Sequence, residues 1–281
     1  MYRVIKGISG LVGRLSPAGW NRLACGLAFL SFDVLRFRRR LILNNLAIAL
    51  GDELTPAERV RVGRASTVHF FLTVLEFLGS VRNDLMADVT AEGVDIVQQA
   101  LAEGGGAYIL CGHLGNWEVM GGAGSRFAAP THALVKEVAG ANRLVDELRR
   151  KAGLFPIYRK PPSRALRAIR DTLKRNELVA FILDQARPGA PRIPFFGTPA
   201  KTQTSLAALW RKTPRPVIPV SIRRIRPGVH HVKAWPPLEL EQTDDADRDI
   251  ITLTTQFNAM LERMIRTCPE QYFWMHNRWK P

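Results

Sequence analysis

The amino-acid sequence predicts an α/β fold: a single domain with a mostly parallel central sheet flanked by helices, plus an N-terminal helical appendage that associates with a membrane. Two observations predict the class. The first 80 residues show the patterns of helices, whereas from about Tyr108 onward short apolar runs alternate with amphipathic segments. Such alternation is typical of parallel sheets joined by crossover helices. With 281 residues, of which 46% are hydrophobic, the chain can bury a sizeable core, and a disordered chain is excluded.

The chain opens with the segment MYRVIKGISGLVGRL, which predicts an amphipathic helix. Val4, Ile8 and Leu11 recur at the i, i+4, i+7 spacing of one helical face, and the basic Arg3 and Arg14 lie off that stripe. A helix of this kind suits a membrane interface, and it equally suits the edge of a protein core. Both interpretations stay open from the sequence.

The next apolar stretch, residues 23–32, is free of charge over ten residues, whereas a membrane-spanning helix needs about 20. A single N-terminal anchor is therefore possible but not favoured. Four arginines follow within five residues, Arg36, Arg38, Arg39 and Arg40. Arginines beside an apolar segment fit anionic lipid headgroups, each contributing about 1 kcal/mol near such a surface, although a solvated helix face is the alternative. We expect membrane contact on the cytoplasmic leaflet.

A long helix is predicted to begin at residues 55–58, where a threonine, a proline and a glutamate occupy the cap, the first and the third helical positions. It runs towards Leu78. His69, Thr73 and Glu76 recur at helical spacing along it. They could form a polar site, but a solvated stripe is more common, and we assign them no role.

The second part of the chain supplies the predicted sheet. Buried strands are expected in AYILC (107–111), HALVK (132–136), LVAFIL (178–183) and PVIPVSI (216–222), and helices near 116–126, 142–152, 164–175, 202–212 and 247–266. We divide the chain into an N-terminal helical, membrane-associating segment, residues 1–80, and an α/β domain, residues 81–281.

The charge predicts an acidic partner. Forty Lys and Arg against 25 Asp and Glu give a formal charge of +15, which attracts nucleic acid, an anionic membrane surface, or an acidic protein or phosphorylated substrate. The three cysteines, Cys25, Cys111 and Cys268, are far apart and form no CxxC pair. That spacing fits neither a disulfide framework nor a zinc site, and it favours a reducing compartment.

The segment GGGAYILCGHLGNWE, residues 104–118, carries the candidate chemistry. A strand ends at Cys111 and Gly112 turns the chain, so His113 is expected at the carboxyl edge of the sheet, where open α/β sheets bind ligands. On one unbroken helix, residues five apart are about 140° apart and cannot meet. With His113 in the loop and Glu118 in the first helical turn, the carboxylate can fold back onto the imidazole.

A histidine held by a carboxylate suits general-base work, because the bond fixes the tautomer and leaves the second ring nitrogen free for a proton. A purely structural histidine is the alternative. No serine has the GxSxG setting, and GxGxxG, P-loop and HExxH motifs are absent from the sequence. A base without an enzyme nucleophile indicates direct attack by a substrate hydroxyl, and thus group transfer.

Four blocks in order carry a family resemblance: GHLGNWE, LDQ (183–185), IPFFGTPAKT (193–202) and PEQYFWMHNRWK (269–280). Together they resemble the late lipid A biosynthesis acyltransferases, the lauroyl/myristoyl acyltransferase family of the lysophospholipid-acyltransferase-like superfamily. The resemblance implies an inner-membrane enzyme of Gram-negative bacteria, at the cytoplasmic face. It would move a fatty acyl chain from acyl carrier protein to a hydroxyl of a lipid A precursor in lipopolysaccharide biosynthesis.

Carried onto this chain, the family's His-x4-acid dyad is His113 and Glu118, with His113 as general base and Glu118 holding it in place. Asn116 and the backbone N–H groups at the start of the next helix are candidate donors to the oxyanion. The resemblance implies no metal and no tightly held cofactor. Acyl-ACP is the expected donor, with acyl-CoA as the alternative.

Five further residues are candidates for substrate binding. Lys136 stands where many relatives have an arginine in a YRP-like context, and this chain's LVKEVAGAN departs from that pattern. Asn142 and Arg150 match an Asn followed by a helix ending in arginines, which could bind phosphate or the pantetheine arm. Asp184 and Gln185 end another strand. For all five, a structural role is the alternative.

The implied partners account for the positive charge, since acyl carrier protein, the phosphates of lipid A precursors and anionic inner-membrane lipid are all acidic. Two other functions remain possible. One is an acyl-CoA-dependent acyltransferase acting on a lysophospholipid or glycolipid. The other is a basic nucleic-acid-binding module that uses residues 36–40 and the terminal aromatics, but nucleic acid binding gives no reason for the His113 and Glu118 constellation, and we expect no nucleic acid partner.

Overall fold

The computed structural model describes residues 2–137 and 142–280. Its α-helices are α1 (Tyr2–Val12), α2 (Pro17–Ala28), α3 (Arg39–Leu50), α4 (Pro56–Gly79), α5 (Val94–Ala102), α6 (Trp117–Phe127), α7 (Asn142–Lys151), α8 (Pro162–Lys174), α9 (Ser205–Lys212) and α10 (Ala246–Arg266). A π-helix, Phe29–Val34, extends α2, and a 3-10 turn, Pro269–Gln271, follows α10.

The strands are β1 (Asp88–Glu92), β2 (Ala107–Cys111), β3 (Thr131–Val135), β4 (Leu154–Tyr158), β5 (Leu178–Ile182), β6 (Arg192–Phe195), β7 (Thr198–Lys201), β8 (Val217–Arg226) and β9 (Val229–Ala234). Seven of them form one sheet in the order β1-β9-β8-β2-β5-β3-β4, and β6 and β7 form a separate hairpin. The large sheet is parallel except for the antiparallel pair of β8 and β9. The predicted α/β class with a mostly parallel sheet is confirmed.

The two faces of the sheet belong to two apolar cores. In β2, Tyr108 and Leu110 point to one core, and Ile109 and Cys111 point to the other. Helices α3, α8, α9 and α10 contribute side chains to the first core, and α5 and α6 contribute to the second. Both faces are covered, as the continuous apolar strand runs require. Because α3 and α4 contribute side chains to the first core, these two N-terminal helices pack on the sheet, and the boundary at residue 80 stays a prediction.

The predicted strands and helices in the second part of the chain are confirmed to within a few residues, except that the run near 216 extends to Arg226. Five strands were not predicted: the edge strands β1 and β4, the strand β9 that pairs with β8, and β6 and β7 of the hairpin. In β1 only Val89 is buried, so an apolar-run criterion does not detect it.

The start of α4 is confirmed as a capping box. The Thr55 hydroxyl accepts from the Glu58 N–H at 3.3 Å, and the Glu58 carboxylate accepts from the Thr55 N–H at 2.8 Å. Over the described ranges 2–137 and 142–280, none of the helices combines the length and apolar character that crossing a membrane requires.

Candidate active site

The loop between β2 and α6, residues 112–116, lies at the carboxyl edge of the sheet. Gly115 has a positive φ of 55°, and a Cβ there would lie 2.5 Å from the Ile222 carbonyl oxygen. Only glycine fits that approach without strain. Asn116 then caps α6, its Oδ1 accepting from the N–H groups of Glu118 and Val119. The sequence thus turns sharply from strand to helix and leaves His113 at the edge.

His113 is held twice by one carboxylate, that of Asp184. Its Nδ1 lies 2.7 Å from Asp184 Oδ1, and its backbone N–H donates to Asp184 Oδ2 at 2.6 Å. Asp184 is 2% exposed. Burial raises the pKa of Asp184, but the interactions with His113 outweigh it, and the net shift is downward. An ionised Asp184 accepts a hydrogen bond from Nδ1–H, which leaves Nε2 as the unprotonated, basic nitrogen.

The expected contact between Glu118 and His113 is corrected by this geometry. Glu118 instead accepts two bonds from the Arg149 guanidinium of α7, at 2.8 and 2.7 Å. The physical reason is the strand register: Cys111 of β2 is paired with Ile182 of β5. Residues two positions beyond each strand end therefore meet, which brings His113 to Asp184, while Glu118 in the first turn of α6 faces α7.

A cavity of about 240 Å³ opens at His113 and extends between the sheet and α6. Its inner wall is mostly apolar and comes from six strands and two helices, with Val97, Ile109, Cys111, Met120, Ala123, Phe127, Ala133, Leu154, Leu178, Ala180, Val220, Val232 and Ala234. Its polar end contains the side chains of His113, Glu118, Lys136, Arg149, Arg159 and Gln185, and Glu92 of β1 also lines the cavity. A mostly apolar space that ends at polar side chains is suited to a ligand with an apolar chain and a polar head.

Small residues on α6 let the helix lie close to the sheet beside this cavity. A Cβ on Gly121 would lie 2.6 Å from a Leu154 methyl carbon, and a Cβ on Gly124 would lie 2.1 Å from the Thr131 hydroxyl oxygen. Both glycines line the cavity. The width of the cavity therefore depends on positions without side chains.

Of the predicted binding residues, Gln185 and Lys136 lie at the polar end of the cavity. The Gln185 amide nitrogen is 3.4 Å from His113 Nε2. Asn142 begins α7, and Arg150 near its end is exposed. Arg149, which precedes Arg150, is the helix arginine in the cavity wall. Sequence reasoning thus missed Arg149 by one residue and did not name Arg159.

Asn116 has a different environment from the one expected of an oxyanion donor. It is fully buried, its Oδ1 caps α6, and its Nδ2 donates to Glu76 at 2.8 Å. Both ends of the amide are therefore occupied within the protein. Its observed contacts set the shape of the loop.

His69, Thr73 and Glu76 do not form a solvated stripe on α4, so that prediction from the sequence was wrong. Glu76 is 1% exposed and forms an ion pair with Arg224 of β8 at 2.8 Å. Arg224 also donates to the Thr73 hydroxyl at 3.0 Å and to His69 Nδ1 at 2.7 Å. Thr73 donates to the Gly115 carbonyl oxygen at 3.0 Å. The stripe thus supports the loop from behind, together with the Glu76 contact to Asn116.

The terminal block supports the same loop from its other side. The Gly115 N–H donates to the Gln271 carbonyl oxygen, and the Phe273 N–H donates to the His113 carbonyl oxygen, both at 3.0 Å. The rings of Phe273 and Trp117 lie 6.0 and 5.1 Å from the His113 ring. The terminal block therefore packs against the site.

Thiol and metal chemistry find no support in the described residues. Cys111 lines the cavity, but burial raises the pKa of its thiol well above the ordinary value, so it is protonated at neutral pH. Within residues 2–137 and 142–280, no group of three His, Cys, Asp or Glu side chains is arranged to hold a metal ion. His113 and its neighbours therefore carry the candidate chemistry.

Comparison with known protein families gives one match. The family described as bacterial lipid A biosynthesis acyltransferase matches residues 7–281. A search of curated proteins found no match to the chain. The matched range includes the loop of residues 112–116, Asp184 and the terminal block.

Proposed function

Because the chain belongs to the bacterial lipid A biosynthesis acyltransferase family, we propose that it transfers a fatty acyl chain from acyl carrier protein to a hydroxyl of a lipid A precursor and forms an ester. The observation that carries the proposal is the His113–Asp184 pair at the polar end of the apolar cavity. Family membership supports an acyltransferase of lipid A synthesis. The donor, the ester product and the residue roles are our proposals.

In the proposed step, Nε2 of His113 accepts the proton of the acceptor hydroxyl while the hydroxyl oxygen attacks the thioester carbonyl carbon. The carbonyl oxygen becomes an oxyanion. When the carbonyl re-forms, the carbon–sulfur bond breaks, and the imidazolium returns the proton to the leaving thiolate. Every atom of the thioester and the alcohol is accounted for in the ester and the free thiol. General-base participation of this type contributes typically 10²- to 10⁴-fold to the rate, as an order of magnitude.

Asp184 is the positioning residue for His113 in this proposal. It fixes the tautomer with Nδ1–H and stabilises the imidazolium that forms. Glu118 remains in the site with a revised role: as an ion pair with Arg149, 2.7 Å away, it lines the polar end of the cavity. There the pair offers one acceptor group and one guanidinium to the substrates as they approach His113.

The acyl chain is proposed to occupy the apolar part of the cavity, with its thioester at His113. Burial of each methylene contributes about 0.8 kcal/mol, so a long chain is held without polar contacts. The side chains of Met120, Phe127 and Val97 surround that space. Such a chain position leaves the carbonyl group at the end of the cavity that holds His113, Lys136 and Arg159.

The membrane side of the proposal rests on exposed apolar side chains near the N-terminus. In α1, Val4 is 65%, Ile8 49% and Leu11 63% exposed, so the predicted stripe faces outward. In the π-helix and the residues after it, Phe29, Leu30, Val34, Leu35 and Phe37 are between 47% and 67% exposed. Arg36 and Arg40 adjoin this second group. Apolar side chains next to arginines fit the interface of an anionic inner-membrane leaflet.

The proposal is tested by incubating the purified protein with a tetra-acylated lipid A precursor and acyl-ACPs of several chain lengths, and by following product mass. Wild type should add one acyl group as an ester. His113→Ala should lose at least about 100-fold in rate because it lacks the base. His231→Ala, which removes a β9 histidine that is 31% exposed and lies outside the cavity lining, is the matched control and should keep wild-type activity. Equal product from wild type and His113→Ala would refute the mechanism, and product from acyl-CoA alone would reassign the donor.

A further inference from the structure

Two cationic residues, one after β3 and one after β4, lie at the polar end of the cavity, which is its mouth. β3 and β4 are parallel neighbours with Val135 opposite Tyr158, and the Arg159 N–H donates to the Val135 carbonyl oxygen at 3.3 Å. The residues that follow the two strands are therefore adjacent, with the backbones about 4.8 Å apart in the hydrogen-bonding direction. Those residues are Lys136 and Arg159, and both line the polar end of the cavity.

These two cations differ from the third one in the cavity, Arg149, because neither forms an ion pair with a carboxylate among residues 2–137 and 142–280. Arg149 is paired with Glu118. Arg159 Nε is buried and has no hydrogen-bond partner in the described chain. Asp146 accepts a hydrogen bond from the Tyr158 hydroxyl and forms no ion pair with Arg159 among the described residues. A buried guanidinium N–H without an acceptor is costly, so a bound group that accepts from it is favoured.

We propose that Lys136 and Arg159 form a phosphate-binding subsite at the mouth of the cavity. This inference rests on the proposed acyl transfer and names the substrate group that the mouth recognises. A guanidinium presents several N–H donors in a fixed fork, and an ammonium adds a point charge, which is a common combination around phosphate oxygens. Parallel α/β sheets also bind anionic ligands at this carboxyl edge.

Two substrates of the proposed reaction carry such a group. The donor has a phosphodiester in its pantetheine arm, and the acceptor glycolipid carries phosphate monoesters. In either case the phosphate would be held at the mouth while the reacting carbon or hydroxyl reaches His113. The shared chemistry is a phosphate ester, and the source is decided by the experiment.

The test compares wild type with Lys136→Met and Arg159→Met, which remove the charge and keep an unbranched apolar stem. KM is measured for four substrates: the lipid A precursor with and without its phosphates, and acyl-ACP against acyl-pantetheine, which lacks the phosphate. For the substrate that uses the subsite, each variant should raise KM about tenfold or more relative to wild type. The kcat of each variant should stay within about threefold of the wild-type value. For the phosphate-free counterpart of that substrate, KM should not rise. Lys174→Met, an exposed residue at the end of α8 on the opposite edge of the sheet, should behave as wild type.

Binding without turnover separates this inference from the proposed function. Equilibrium binding of the phosphorylated precursor and of acyl-pantetheine 4′-phosphate is measured with the same three variants. Weaker binding in the two mouth variants, with no ester formed by wild type, would keep the subsite and overturn the acyl transfer. Ester formation with unchanged KM and unchanged binding in Lys136→Met and Arg159→Met would overturn the subsite and keep the acyl transfer. An equal loss for phosphorylated and phosphate-free substrates would also overturn it.

Discussion

Two clusters of histidine and carboxylate lie on opposite sides of the loop 112–116, and they differ in charge balance and access. In front, the His113 side chain, 17% exposed, faces the cavity, and Asp184, 2% exposed, holds the His113 ring through Nδ1. Behind, Glu76 lies between Arg224 and His230, all at 1% side-chain exposure. The same kinds of side chain are therefore present twice, but only one set meets a space that can admit a substrate.

The electrostatics of the rear cluster, which consists of Glu76, Arg224, His230 and His69, explain why it is structural. Burial raises the pKa of Glu76, but Arg224 and His230 outweigh it, and the pKa is strongly lowered. Burial, reinforced by Arg224, lowers the pKa of His69 to about 4. Glu76 is thus ionised and His69 neutral at physiological pH, so neither exchanges protons there. A histidine–carboxylate pair becomes a candidate base only where one ring nitrogen is left free and faces a cavity.

The largest expected effect comes from breaking the rear ion pair. Arg224→Met leaves Glu76 buried without its counter-charge, and unfolding free energy should fall by about 3–5 kcal/mol. Urea denaturation of the purified protein measures it. The double variant that combines Glu76→Met with Arg224→Met removes both charges, and it should recover part of the lost unfolding free energy. Arg226→Met, at an exposed position two residues further along β8, should stay within about 0.5 kcal/mol of wild type; a loss as large as that of Arg224→Met would contradict the special role of the pair.

The second-largest expected effect is on the activity of variants of the His113–Asp184 pair. Asp184→Asn keeps the shape of the side chain but leaves one acceptor oxygen where two are used, by the His113 N–H and by Nδ1. We expect kcat to fall about 100-fold with KM little changed, because the tautomer is no longer fixed. Steady-state kinetics with the lipid A precursor check it. Glu177→Gln, which alters a further His–carboxylate pair, that with His132 at 2.9 Å, at the other edge of the sheet, is the control. A comparable fall in kcat there would remove the distinction.

The smallest expected effect is a pH dependence of the unfolding free energy that arises from His69 of the rear cluster. An unfolded histidine titrates near pH 6.5, whereas folded His69 titrates at about 4, so below pH 6.5 the unfolded chain binds more protons and acid favours unfolding. Between pH 6.5 and 5 this histidine should account for a loss of about 2 kcal/mol. His69→Gln, which can still accept from Arg224, should show a shallower decline of unfolding free energy over that interval. His231→Gln should keep the wild-type slope, and identical slopes for His69→Gln and wild type would contradict the assignment.

Much of the sheet could be predicted from the sequence, because its central strands are continuous apolar runs of five residues that are buried on both faces. His113 could be placed as well, since it follows such a run directly. Its partner could not be chosen between Glu118 and Asp184, because the choice depends on which strands are neighbours. β2 and β5 are joined by pairs about 71 residues apart in sequence, and spacing within one segment carries no information about that pairing.

The rear cluster shows a second limit of sequence reasoning. His69, Thr73 and Glu76 have the spacing of one helical face, and a polar face is solvated unless another element covers it. Here Arg224 covers it from β8, with a guanidinium that is itself 1% exposed. The only signal was a polar stripe on a helix whose remaining residues are broadly apolar. Arg149 and Arg150 pose the same problem, since a shift of one position on α7 turns a side chain by about 100°.

The bond between Gln271 and Gly115 has a consequence for the order in which the protein matures. During synthesis the ribosome delivers the loop more than 150 residues before the block that braces it. His113 and Asp184 can meet as soon as β5 joins β2, whereas the backbone bonds from Gln271 and Phe273 form only after the last block is synthesised. The full set of contacts around the His113 imidazole is therefore completed among the last steps of folding.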